Sequence, residues 1–414
     1  MRGTAAAPAS KSEAHRRMIC AGLSEGEVTL TGYMASADMA ATQRCLTALG
    51  AQVSVQGDAL TVRGGAVKPG FMPVLDCGES GSTLRFFVPL AMTLAGGGTF
   101  RMYGRLGSRP MDVYRDLFVP QGADWRMGVG ADGAAELTVY GGLIAGNYEL
   151  PGNVSSQFVS GLLFALPLLE GESTLTVKPP VESAGYIRMT VKAIAESGVR
   201  LEEIAPFTWR IPGFQRYHAP SGSLHGDYSQ AAVLLCAAAL GHDVTVTGLS
   251  PDSIQGDRAV LRHLAALGAA VTERDGAITV VGGELRGAAL DMRDCPDIAP
   301  MLALTCQLAA GESRLTGCGR LRLKECDRLA ATVEILNRLG GRARAEGDDI
   351  VIQGVERLRG GVTIEDYHDH RMVMAAAVAA SVAERPVTVR GVEALDKSWP
   401  EFLRVYESLG GKTA

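Results

Sequence analysis

Nowhere does this 414-residue chain carry the run of roughly 18 apolar residues that a membrane-spanning helix needs. The longest candidates, 372–383 and 231–240, are short and rich in Ala, and are expected to be buried helices. The opening Met1 to Ser10 has one Arg but no apolar run behind it, so it does not read as a secretory leader. Excess positive charge is missing too: the formal net charge is −5, which argues against a nucleic-acid partner. The eight cysteines form no C-x-x-C pair, no disulfide-like framework and no zinc-ligand spacing. Buried, reduced thiols in a cytoplasmic protein are expected. No cofactor or metal is called for. His368 and His370 stand close together near Asp366 and Asp369, but a structural or positioning role is the preferred reading over metal binding.

The chain is long enough for two large domains, with 47% apolar residues to fill their cores and 21% charged residues to solvate the surface. Its internal repeats decide the fold. Six apolar helical patterns end in a Gly followed by a β-like run, at Gly50, Gly122, Gly198, Gly268, Gly340 and Gly410. Gly just past a helix is a C-cap signal, because it takes φ > 0 without steric cost. A second series of turns runs in step at Gly26, Gly97, Gly171, Gly241, Gly311 and Glu384, each leading into a strand rich in β-branched residues. Solenoid repeats are usually shorter, about 20 to 50 residues, so two closed domains of three units each are preferred. The Pro/Gly/Ser stretch from Pro220 to Gly226 has the composition of a linker between the halves.

Polar clusters open the apolar helices, at 10–16, 79–85, 153–158, 226–232, 294–299 and 366–372. Any one of them is explained by N-capping alone. Together, the first three hold Ser, Gln, Lys and Arg beyond what capping needs, and helix starts bind anions through free N–H groups and the helix dipole. Further charge sits in the loop with Arg105 and Arg109, in Lys324 to Arg328, and at Lys397, while Ser183 and Tyr186 share another loop. Arg105, Arg320 and Arg322 read as solvated surface charge.

These landmarks resemble the 5-enolpyruvylshikimate-3-phosphate synthase family, in family order and over nearly the whole chain. They are Lys11-Ser12 with Arg16; Gly81-Ser82 with Arg85; Arg109-Pro110; Ser155-Ser156-Gln157; Ser183 with Tyr186; Asp297; Lys324-Glu325 with Asp327-Arg328; Asp369 to Met372; and Lys397. The resemblance implies a two-domain, inside-out α/β barrel-like fold with three βαβαββ repeats per domain, six in all. One domain would span 12–222 and the other 223–414 plus residues 1–11, with the active site in the interdomain cleft. Two positions depart from the family's usual pattern, Glu79 and Arg320, where Asn or a similar residue is common.

The implied reaction joins phosphoenolpyruvate to the 5-hydroxyl of shikimate 3-phosphate and releases phosphate. By resemblance, shikimate 3-phosphate would be bound by Lys11, Ser12, Arg16, Ser155, Ser156, Gln157, Ser183, Tyr186, Asp297 and Lys324. Phosphoenolpyruvate would be bound by Lys11, Gly81, Arg109, Gln157, Glu325, Arg328, Arg371 and Lys397. Arg suits this work, since its fork pairs bidentately with carboxylate and phosphate. Asp297 is the expected base, Glu325 the expected proton donor to C3, and Lys11 and Lys397 the groups that bridge phosphate and assist proton transfer. Glyphosate is expected to inhibit, with Gly81 leaving room beside the phosphoenolpyruvate site. The partners are thus small molecules, not nucleic acid or membrane, and a monomer is expected. The rival readings are a UDP-amino-sugar enolpyruvyl transferase, whose usual loop Cys is missing from 104–110, and a non-catalytic repeat protein that binds through its cleft.

Overall fold

A computed structural model of the chain describes residues 1–65 and 71–413. The chain folds as two compact units, Lys11–Leu224 and Met1–Ser10 with His225–Ala414. The unit boundaries thus fall after Ser10 and Leu224 rather than after residues 11 and 222. Lys11 is already the first residue of a helix, and Gly222–Ser223 is a strand of the first unit, parallel to Glu27–Thr31. The predicted linker, Pro220 to Gly226, therefore contains hydrogen-bonded sheet: Leu30 opposes Gly222 and Thr31 opposes Ser223.

The Lys11–Leu224 unit holds helices α1 (Lys11–Gly22), α2 (Ala37–Ala48), α3 (Gly81–Ala95), α4 (Asp112–Phe118), α5 (Ser156–Ala165) and α6 (Ala184–Glu196). Each pair of helices is interleaved with one four-stranded sheet. In the second repeat the order is Val74–Asp76, α3, Gly97–Met102, α4, and the pair Asp124–Val129 and Ala135–Tyr140. The first two strands are parallel and the closing pair antiparallel, which is the βαβαββ unit. The third repeat copies it with Asn147–Pro151, Ser173–Lys178, Glu202–Ala205 and Thr208–Ile211. In the first repeat the parallel strand is Gly222–Ser223, supplied from the far end of the unit.

The other unit holds α7 (Tyr228–Ala239), α8 (Ala259–Ala266), α9 (Ala299–Gln307), α10 (Arg328–Arg338), α11 (His370–Val382) and α12 (Phe402–Ser408). Here too the leading strand of the first repeat comes from elsewhere: Arg2–Ala6 runs parallel to Asp243–Thr247. The last repeat differs. It has short parallel pairs, Leu358–Gly360 with Ala383–Arg385 and Thr363–Ile364 with Thr388–Val389, and no strand pair follows α12 among the described residues.

The first helix of every repeat but the first is predominantly apolar, and the structure buries it accordingly, whereas α1 carries Lys11, Glu13, His15, Arg16 and Arg17. Every residue of α7 and α9 is buried, and α7, α9 and α11 pack on one another. The sheets alternate buried and exposed positions, as one-sided sheets do. Helices inside and sheets outside give the inside-out architecture. The six glycines predicted to end helices all lie in the left-handed region, at φ between 77 and 99°.

Helix α3 contains Pro89, which removes the N–H that would satisfy the Arg85 carbonyl four residues earlier. The buried Tyr114 hydroxyl takes that place, 2.9 Å from Arg85 O and 2.8 Å from Phe158 O. Tyr114→Phe is therefore expected to destabilise the protein by about 1–3 kcal/mol, the cost of a buried unsatisfied carbonyl. A denaturant midpoint unchanged from the wild type would refute this.

Candidate functional site

In each unit, polar side chains gather at the helix starts. In the Lys11–Leu224 unit, Lys11 opens α1 and its Nζ lies 2.6 Å from Asp38 Oδ2 in the first turn of α2. Ser36 caps that helix, its Oγ accepting from Met39 N. Further along α1, the buried Arg16 donates, among the described residues, to neutral oxygens only: Nε to Thr190 Oγ1 (2.8 Å), Nη1 to Ser12 O (2.7 Å) and Nη2 to Tyr186 O (2.9 Å). Burial pulls its proton affinity down to about 10. These bonds make Arg16 a clamp that fixes the backbone beside Ser12 and Tyr186.

Ser155 caps α5 through Gln157 N, with Ser156 buried behind it. Gln157 then joins two helices: its Oε1 accepts from Arg85 Nη1 (2.7 Å) and its Nε2 donates to Ser82 Oγ (2.8 Å). Ser183 sits at φ 56°, a left-handed conformation that is strained for a residue with a Cβ, and delivers the chain into α6. Arg109 follows the 3-10 turn Gly104–Ser108 and lies against Gly81, so that a Cβ added at Gly81 would fall 2.7 Å from Arg109 Nη1. Glu79, one of the two departures, sets its carboxylate against Gly104 in that same turn.

In the other unit the centre is Arg328, which opens α10 with only 2% of its surface exposed. Its Nε and Nη2 clasp Asp369 (2.7 and 3.1 Å), Nη2 also meets Glu325 Oε2 (2.8 Å), and Nη1 meets Asp297 Oδ1 (2.8 Å). Lys324 Nζ bonds the same Asp297 oxygen at 2.8 Å. Burial alone would raise the Asp297 pKa, but Lys324, Arg328 and Arg371 outweigh it and hold the carboxyl far below the usual range. Burial likewise disfavours charge on Arg328, yet Asp369, Glu325 and Asp297 lift its pKa well above normal. Burial lowers the pKa of Lys324, with Asp297 opposing.

Asp297 side chain is 26% exposed, and its Oδ2 has no hydrogen-bond partner among the described residues. Two consecutive left-handed residues, Tyr367 and His368 (φ 53° each), lead into Asp369, which caps α11 by accepting from Arg371 N (2.9 Å). Arg371 is buried without a carboxylate partner among the described residues. Its Nη1 donates to Ser229 O (2.6 Å), and its Nε has no partner. A buried guanidinium left so has donor capacity to spare. Gln230, 3.5 Å from Arg371 Nη1, also donates to Ser398 Oγ beside the buried Lys397.

Sequence-predicted residues thus fall into two clusters. Lys11, Ser12, Arg16, Gly81, Arg109, Ser155, Ser156, Gln157, Ser183 and Tyr186 lie in one unit, and Asp297, Lys324, Glu325, Arg328, Arg371 and Lys397 in the other. The structure adds Asp38 and Gln230 as residues that hold them, and gives the landmark residues Arg85 and Asp369 the same part. Arg320, the second departure, anchors to Arg293 O. All eight cysteines are buried and unpaired, and no described helix is long and apolar enough to cross a membrane.

The profile of EPSP synthase (3-phosphoshikimate 1-carboxyvinyltransferase) matches residues 1–406. A Clostridium beijerinckii protein named 3-phosphoshikimate 1-carboxyvinyltransferase is 38% identical over 98% of this chain and 94% of its own length. A Clostridium kluyveri protein of the same name is 37% identical, over 100% of this chain and 96% of its own. The fold is that of EPSP synthase from Acinetobacter baumannii (TM-score 0.80, 24% identity, 99% of this chain and 96% of that one). It is also that of the enolpyruvyl transferase NikO from Streptomyces tendae (TM-score 0.77, 18% identity, 100% and 95%). The chain belongs to the EPSP synthase family.

Proposed function

We propose that this protein transfers the enolpyruvyl group of phosphoenolpyruvate to the 5-hydroxyl of shikimate 3-phosphate and releases phosphate, a step of aromatic amino acid biosynthesis. The observation that carries the reading is the Asp297 carboxylate. One oxygen is fixed by Lys324 and Arg328, and the other is left to accept a proton, in a cluster that also buries the anion-seeking Arg371. In the first step the 5-oxygen bonds to C2 of phosphoenolpyruvate, its proton passes to Asp297, and C3 takes a proton from Glu325. In the second, C2 loses phosphate, which takes up the proton held by Asp297, and C3 returns a proton to the Glu325 carboxylate, which restores the double bond.

Both substrates are anions that repel each other, and fixed cations must hold them together. Lys11, Arg109, Arg371 and Lys397 serve phosphoenolpyruvate, with Gly81 and Gln157. Ser12, Ser155, Ser156, Ser183, Tyr186 and Lys324 serve shikimate 3-phosphate. Arg16 supports them from behind. Arg328 already meets three carboxylates, so its part in binding phosphoenolpyruvate requires the substrate to compete with Asp297 and Glu325. Eight unpaired thiols suit a cytoplasmic enzyme. The UDP-amino-sugar reading lacks its loop Cys here.

Phosphate release measured with each substrate alone and with both tests the function. Release that needs both is expected. Release with a UDP-amino sugar in place of shikimate 3-phosphate would overturn the assignment. Gly81→Ala should push the Arg109 guanidinium aside, because the added methyl lands 2.7 Å from Nη1. It is expected to raise KM for phosphoenolpyruvate by about tenfold and to weaken inhibition by glyphosate, with kcat less affected. Unchanged steady-state constants would remove Arg109 and Gly81 from that site.

A further inference from the structure

Behind the Lys11 cluster runs a chain of buried hydroxyls that the reaction itself does not use. His15 Nδ1 lies 2.7 Å from Thr42 Oγ1, which lies 2.8 Å from Thr83 Oγ1, which lies 2.8 Å from Ser80 Oγ. The four residues belong to three elements: α1, α2, and α3 with its cap. All four are at most 1% exposed.

The direction of the chain can be read from its end. Ser80 Oγ accepts from both Thr83 N and Thr83 Oγ1, so the one hydroxyl proton of Thr83 is engaged there. Thr42 must then donate to Thr83, and its own proton is engaged in turn. His15 is left to donate through Nδ1–H, which makes Nε2 a bare acceptor. That nitrogen is buried with no partner among the described residues. Burial also lowers the His15 pKa to about 3, so the ring is neutral, as a single donor requires.

We propose that His15, Thr42 and Thr83 are positioning residues, forming a directed hydrogen-bond strut that aligns the first turns of α1 and α3, and with them Lys11 and Gly81, for enolpyruvyl transfer. The inference rests on the function proposed above. His15 stands one helical turn from Lys11, Thr42 one turn from Asp38, and Thr83 two residues from Gly81, so each link of the strut lies directly behind a residue of the cluster. Hydroxyl-to-hydroxyl contacts of fixed polarity hold one register, whereas apolar packing at the same places would allow sliding.

Two measurements on the full-length protein test it. With 15N-labelled histidine, the ring signals that vanish in His15→Asn are expected to carry the proton on Nδ1 and to stay unchanged between pH 7.5 and 5.5. A proton on Nε2, or a ring that becomes charged in this range, would overturn the strut. Thr42→Val keeps the side-chain shape and removes both bonds. It is expected to raise KM for phosphoenolpyruvate by about fivefold to tenfold, with Thr42→Ser restoring most of the loss. A valine variant that is merely less stable, with wild-type KM, would assign the chain a structural role and refute the positioning one. Should that variant not fold, Thr83→Val breaks the same link from α3 and is read the same way. If the wild type releases no phosphate with both substrates, the function fails, while the tautomer measurement still decides the strut.

Discussion

Asp297→Asn is expected to lower turnover by about 10²–10⁴-fold, the usual contribution of a positioned general base, while both substrates continue to bind. The amide keeps an oxygen for Lys324 and Arg328 but cannot accept the hydroxyl proton. The carboxylate it replaces is an unusual base, since Lys324, Arg328 and Arg371 hold its pKa far below the ordinary 3.8. A depressed pKa means that Asp297 of the unliganded protein is ionised throughout the neutral range, so the acid limb of kcat/KM, which reports the free enzyme, must come from another group. It also means a low appetite for protons in the unliganded state. On the binding mode proposed above, substrate supplies the remedy: phosphate and carboxylate groups drawn to Lys324, Arg328 and Arg371 would neutralise the very charges that hold Asp297 down, and its proton affinity would rise as the site fills. Single-turnover phosphate release at saturating substrate, compared between wild type and variant, tests this directly. A variant within about threefold of wild type would move the base elsewhere, because general-base catalysis is worth far more than that.

The repeat plan was legible because glycine at a helix end has a single physical cause. All six marked positions adopt positive φ, and every polar cluster named from the sequence opens a helix, from Lys11 to His370. What could not be read is pairing across the chain. Nothing in the spacing of Arg328 and Asp369, 41 residues apart, announces a bidentate contact. Likewise Arg16 carries the same charge as Arg109, yet it turns inward to two backbone carbonyls and a threonine. Local pattern gives the helix on which a side chain sits, but its partner is fixed by how repeats pack. The leading strands show the same limit. Gly222–Ser223 and Arg2–Ala6 complete sheets whose other strands are distant in sequence, so a linker composition concealed a strand in one case and the chain's opening residues did so in the other.

Asp369→Ala should be the most destabilising single change in the cluster. Asp369 is fully buried and Arg328 is 2% exposed, so removing the carboxylate leaves a guanidinium half-unpaired in the interior. Breaking a buried pair from one side costs about 3–5 kcal/mol, and loss of the α11 cap at Arg371 N adds roughly 1 kcal/mol. Asp297 and Glu325 still bind the other edge of Arg328, which sets a ceiling on the loss. Asp369→Asn separates the two parts, because the amide oxygen can still cap the helix while the charge is gone. The expected order of denaturation midpoints is wild type, then Asn, then Ala. Activity should fall in the same order, since Arg328 relaxes toward its remaining partners and carries Asp297 with it. An alanine variant as stable as wild type would mean that Arg328 finds another anion, and the chain from Asp369 through Arg328 to Asp297 would lose its role in setting the base.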